Sequence, residues 1–300
     1  MVTAVVRYKR SLLSTLSSRR FASIYGVDFS GAKLAGRNVW VARCEPADRN
    51  RRLRLVSLDS LETLCGTAER GPALAALASL IRRSSDALWG MDFPFGLPVE
   101  VMDERTTWAD QVEFVLCWPD TDAYELGLWC LRRARRLGGP MHVRRTTDGE
   151  AKAPFDCYHY RIIYQTFFGM RDVLGPLAGA RGTAILPFHY HRAAAADRVV
   201  MECCPSSVLK RLGWPHQNYK QPAGGPLSAK RLRTRHVILD GLSSLVTFDA
   251  SYRRTMMRNG GGDAIDAVLA AVGAWRGWRL TDHAAVANHP RYRREGHLYT

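Results

Sequence analysis

The chain has 300 residues, 46% of them hydrophobic and 10% aromatic, so it can bury a sizeable core and is not a disordered protein. Lys and Arg outnumber Asp and Glu by 43 to 28, a formal charge of +15. That balance suits polyanionic partners, nucleic acid before membrane, and a solvated Arg-rich surface accounts for it equally well. No apolar run approaches transmembrane length, and seven cysteines without a Cys-x-x-Cys pair indicate neither a disulfide framework nor a zinc site. A soluble protein of a reducing, cytoplasmic compartment with no membrane partner is expected.

Residues 1–20 are basic and free of acids, in the manner of a transit peptide or a disordered tail, and are expected to lie outside the fold. "FASIYGVD" then reads as a short apolar strand stopped by Asp28, "RNVWVARCE" and "LRLVSLD" as two further strands, and "GPALAALASLIRR" as a helix. "ALWGMD" is a fourth strand, ended by Asp92 and then Pro94.

From about residue 95 to 195 the rhythm breaks into a largely helical insertion, including the Arg-rich "LRRARRLGGP" and the aromatic "CYHYRIIYQTFFGMRDVLGPLA". "RVVMECC" resumes the core as a strand. "SSVLKRLG", "LSAKRLRTRHVILDGLSSLV" and "GGGDAIDAVLAAVGAWRGW" follow as helices. The expectation is an α/β domain over residues 21–282, followed by a basic tail over 283–300 with no chemistry of its own.

Asp28, Asp92 and Glu202 each stand at or near a strand end, where open α/β sheets place their ligands. Asp263 and Asp266 share a face of the first turn of the last helix. One acid there serves as a cap; two exceed what a cap needs. The near-continuous apolar run behind them holds that turn rigidly beside the sheet. Carboxylates gathered so closely repel one another, and a divalent ion relieves the repulsion. Oxygen donors with few histidines nearby favour Mg²⁺ or Mn²⁺ over zinc.

The ordered blocks "GVDFSGAK", "WGMDFPFGLP", "MECCPSSVLKRLG" and "GGGDAIDAVLAAVGAW" resemble domain-of-unknown-function family 429, predicted nucleases of the ribonuclease H-like superfamily. The last block is also similar to the final helix of Holliday-junction resolvases. The resemblance spans roughly residues 22–280. It implies a ribonuclease H-like mixed sheet flanked by helices, with Asp28 as the first-strand acid, Asp92 as the fourth-strand acid, Glu202 on the following strand, and Asp263 with Asp266 as the last-helix pair. All five stand as candidate catalytic and metal ligands for two ions, although a two-metal site needs about four. Lys220 and Arg231 or Arg235 match basic positions of the family, with Lys33 as a further basic companion. Cys203 and Cys204 depart from its pattern, which more often has an aromatic there.

The activity implied is metal-dependent hydrolysis of phosphodiester bonds in nucleic acid, with Asp28 as the first choice for the bridging ligand. Arg144 and Arg145, or the run from Arg132 to Arg136, are candidates for holding phosphates, although such runs are more often solvated faces. His189 and His191 have metal-like spacing on an expected strand but lack a third ligand, and the aromatic stripe at residues 155–168 reads as core before base-stacking surface. Two alternatives stay open: a phosphotransferase or ATPase of the actin and sugar-kinase fold, which requires a duplicated domain, and a non-catalytic nucleic-acid-binding module.

Overall fold

Short apolar runs alternating with helices give one seven-stranded mixed sheet flanked by helices, an α/β architecture. The structure, a computed structural model, describes residues 13, 16–103, 105–119, 122–221 and 224–300. The strands are β1 (Ser23–Asp28), β2 (Trp40–Ala47), β3 (Arg52–Ser60), β4 (Ala87–Asp92), β5 (Thr183–Ile185), β6 (Arg198–Glu202) and β7 (Val246–Thr247). They lie in the order β5-β6-β4-β1-β2-β3-β7. β1, β2 and β3 run antiparallel in succession. β4, β6 and β5 add parallel on the other side of β1, and β7 adds parallel to β3. β4 and β6 are covered on both faces and accordingly read as continuous apolar runs, whereas β3 mixes buried with exposed positions.

The helices that matter for the site are α1 (Arg70–Arg83), α2 (Ala123–Arg136), α3 (Pro205–Arg211), α4 (Ala229–Leu242) and α5 (Asp263–Leu280). One face of the sheet packs on α1 and the helical insertion, through Leu74, Leu77 and Ile81 against Val27, Trp89 and Met91. The other face packs on α5, which is buried on nearly every side from Ala264 to Trp278.

Two glycines set how closely α5 approaches. Gly26 and Gly90 are neighbours in the β1–β4 register. A Cβ on Gly26 would lie 2.0 Å from the carbonyl oxygen of Ala267, and one on Gly90 would lie 2.4 Å from that of Ala270. The helix backbone therefore rests directly on the sheet, and the small residues of "AVLAAVGAW" on α5 permit it.

Several expectations need correction. The stretch expected to be a largely helical insertion is mostly helix but also contains β5, which at three residues is too short to show alternation. The two-residue β7 is likewise invisible to periodicity. His189 and His191 belong to no strand: His189 precedes the helical turn Tyr190–Ala193, and its Nδ1 accepts from the Ile185 N–H.

The segment over 283–300 is no loose tail. It folds into two short helices, the Tyr299 N–H donates to the Glu202 carbonyl, and Glu295 is buried, accepting from the Val99 and Thr146 N–H groups. Most of residues 1–20 lies outside the described residues, but Leu13 and Leu16 join the core, and the Arg19 guanidinium donates to the carbonyls of Ala193 and Ala196.

Because backbone, not a pliable side chain, faces each glycine, Gly26→Ala is expected to lower unfolding stability by about 3 kcal/mol. Urea denaturation measures this. A loss below about 0.5 kcal/mol would show that α5 does not sit where described.

Candidate metal centre

Parallel neighbours in register point to the same face of a sheet, and side chains two residues apart share a face. The β1–β4 register pairs Gly26 with Gly90 and Asp28 with Asp92. Both acids therefore project from the face that carries α5, just beyond the glycines on which that helix rests. The first turn of α5 then delivers Asp266 to the same spot. One carboxylate oxygen from each of Asp28, Asp92 and Asp266 lies within 4.8 Å of the others. Asp28 and Asp266 are buried, and Asp92 is half-buried.

Two residues from the loop before α4 hold Asp266. The Tyr219 hydroxyl donates to its Oδ1 at 2.9 Å, and the Lys220 ammonium forms an ion pair with its Oδ2. Lys220 still exposes 42% of its side chain.

This geometry perturbs Asp28, Asp92 and Lys220. Burial pushes the Asp28 carboxyl well above its usual range; Lys220 opposes the shift, while Asp266, Asp263 and Asp92 reinforce it. Asp92 is pushed up to about 8, first by burial and then by Asp266. Burial works against the charge of Lys220, but Asp266 and Asp28 outweigh it and keep the ammonium well above its ordinary value. One lysine thus faces three carboxyls. Buried oxygen donors with too little positive charge are what a hard divalent cation fits, and no thiol or imidazole belongs to the trio, so the residues suit Mg²⁺ or Mn²⁺.

The remaining candidates separate by position. Asp263 stands beside the trio, close enough to raise the carboxyl of Asp28, and accepts from the Asn259 amide. Its own carboxyl is raised by burial, with Lys220 opposing.

Glu202 does not join the trio. The β4–β6 register sets it beside Met91, so it points to the opposite face from Asp92. There it is buried, accepting from both terminal nitrogens of Arg145 and from the Phe95 N–H. Arg145 in turn donates to Asp148, so its guanidinium is enclosed by two carboxylates and is not free to hold phosphate.

Arg235 is also structural. It is buried and donates to the carbonyls of Tyr219, Met256, Met257, Asn259 and Gly260, fixing the loops on either side of Lys220 and Asp263. Arg231 lines the cleft above the trio and donates to the Lys220 carbonyl. Lys33 is exposed and lines a separate shallow depression with Glu69 and Arg70. Arg144 is exposed and donates to the Ala153 carbonyl. Arg132, Arg135 and Arg136 lie on the solvated face of α2.

The trio forms part of the wall of a cleft of about 730 Å³, which also takes in Phe155 and Gln165 of the insertion and Tyr219. Tyr219 carries no signal in the sequence beyond adjoining Lys220 in "NYKQP"; its contribution is a hydroxyl that reaches Asp266 only in the fold. All seven cysteines are free, and among the described residues no helix is long and apolar enough to cross a membrane. No family model, curated protein or solved structure matches the chain.

Removing the Arg145 charge leaves Asp148 and Glu202 buried without a counter-charge. Arg145→Leu is therefore expected to cost about 3–5 kcal/mol of stability by chemical denaturation, whereas an Arg serving only substrate would leave stability unchanged.

The pH dependence follows from the raised carboxyls. A carboxyl with a folded-state pKa above its unfolded value keeps a proton that the unfolded chain releases, so chelator-treated protein loses stability as pH rises from about 4 toward 8. The slope from one such group is at most about 1.4 kcal/mol per pH unit. Thermal melting across that window should show the decline, and Asp92→Asn should flatten it. Equal slopes in the two proteins would remove Asp92 from the coupled cluster.

Proposed function

We propose that this chain is a metal-dependent nuclease that hydrolyses phosphodiester bonds in nucleic acid, a ribonuclease H-like protein of the kind that domain family 429 represents. The observation that carries the reading is the meeting of Asp28, Asp92 and Asp266 within 4.8 Å in a cleft that also presents Lys220. The family resemblance assigns metal ligands to the first strand, the fourth strand and the last helix, and acids from those three elements stand together. The charge of +15 supports a polyanionic substrate.

In this reading Asp28, Asp92 and Asp266 hold the first Mg²⁺ or Mn²⁺ ion, and Asp263 is the carboxylate available to a second. A bound ion would supply polarisation of a phosphodiester oxygen and would lower the pKa of a water beside it. The chain's own groups supply the rest. Tyr219 and Lys220 fix the rotamer of Asp266 through its two carboxylate oxygens. Lys220 lines the cleft together with Arg231, where its charge can meet a phosphate that enters. Glu202 and Arg145 serve as a strut: through the Phe95 N–H they secure the turn that follows Asp92.

Incubation with Mg²⁺ or Mn²⁺ and single-stranded, duplex, hybrid and branched substrates tests the proposal. Cleavage is expected to fall at least about 100-fold in Asp28→Asn, and about 10- to 100-fold in Lys220→Ala, which removes an outer partner of a ligand. Absence of cleavage above the Asp28→Asn background with every substrate would overturn it.

A further inference from the structure

The aromatic stretch of the insertion divides in two. Tyr158, Phe167 and Phe168 are core residues. Phe155, His159 and Tyr160 instead form a ladder at the surface. Phe155 and His159 are stacked with centroids 4.6 Å apart, and Tyr160 follows at 4.5 Å from His159 with 60% of its surface exposed. The Arg161 guanidinium lies 5.5 Å from the Phe155 ring centroid and 5.7 Å from that of Tyr160. Phe155 lines the same cleft as Asp28, Asp92 and Asp266, so one end of the ladder stands in that cleft. Tyr160 is exposed and Phe155 and His159 are partly exposed, and core packing does not account for aromatic rings left partly in water beside a cleft.

From this we infer that the ladder is a stacking platform for unpaired nucleobases, and that the substrate reaches the acidic trio as a single strand. The inference rests on the nuclease reading for what happens at the trio. Its own support is separate. Planar rings beside a guanidinium match the flat faces of bases, and the backbone that links those bases carries the negative charge that Arg161 and the exposed Arg144 complement. A duplex keeps its base faces stacked inside and offers the rings nothing to engage.

Fluorescence anisotropy with the full chain in EDTA, where metal-dependent cleavage is blocked, tests the platform. The probes are a mixed-sequence single strand, its duplex, and an abasic strand of equal length, each as DNA; an RNA strand adds a ribose arm. The single strand is expected to bind on the order of tenfold or more tightly than the abasic strand, and Tyr160→Ala with Phe155→Leu should erase most of that difference while leaving abasic binding unchanged. Tyr160 is exposed enough that its loss leaves folding intact, and an unchanged melting temperature checks the pair.

Equal affinity for base-containing and abasic strands, tighter binding of duplex, insensitivity to the ring variants, or no binding at all would each overturn the platform. Binding and cleavage separate the two proposals. Ring-dependent binding without Mg²⁺- or Mn²⁺-dependent cleavage sustains the platform and ends the nuclease reading; ring-independent binding with Asp28-dependent cleavage does the reverse.

Discussion

The close approach of α5 to the sheet is the constraint on which the rest depends. Gly26 and Gly90 remove the two side chains that would hold the helix away, and α5 answers with a run of small residues. The same strands carry Asp28 and Asp92 two residues further on, on the same face, and the same helix carries Asp266 in its first turn. A contact of backbone on backbone therefore fixes the separation of three carboxyls to within one ion's reach. Side-chain packing alone, which repacks more readily, would hold that distance less firmly.

Around this contact two buried networks brace the loops. Arg235 gathers five carbonyls and so fixes the loop that carries Tyr219 and Lys220 as well as the approach to Asp263. Arg145, Asp148 and Glu202 brace the turn after Asp92 from the opposite face of the sheet. The C-terminal residues close that network, since the Glu295 carbonyl accepts from Arg145 and Leu298 bridges to Glu202. Charges that resemble substrate-binding groups in the sequence are thus spent on holding the scaffold.

Much of the core was legible in advance. The strands before Asp28 and Asp92 and the acidic start of the last long helix could be read because each is a strong local pattern ended by a residue that stops it. Face could not be read so easily. Glu202 ends its strand as Asp92 does, yet a register offset of one residue turns it to the other side, and no local feature of "RVVMECC" encodes how β6 aligns with β4. Arg235 and Arg145 look like any surface arginine until the carbonyls and carboxylates that enclose them are assembled from distant segments. The last eighteen residues read as a basic extension for a related reason: their basic character hides Leu298 and Tyr299, which are buried only in the assembled fold.

The central claim is that acids from β1, β4 and α5 form one divalent-cation site. Calorimetric titration of Mn²⁺ into the chelator-treated chain and into its Asp266→Asn variant tests it most directly. Saturable binding to the parent chain that is lost or weakened at least about tenfold in the variant is the predicted result. Equal affinity in the two proteins, or no Mn²⁺ binding to the parent, would contradict the account.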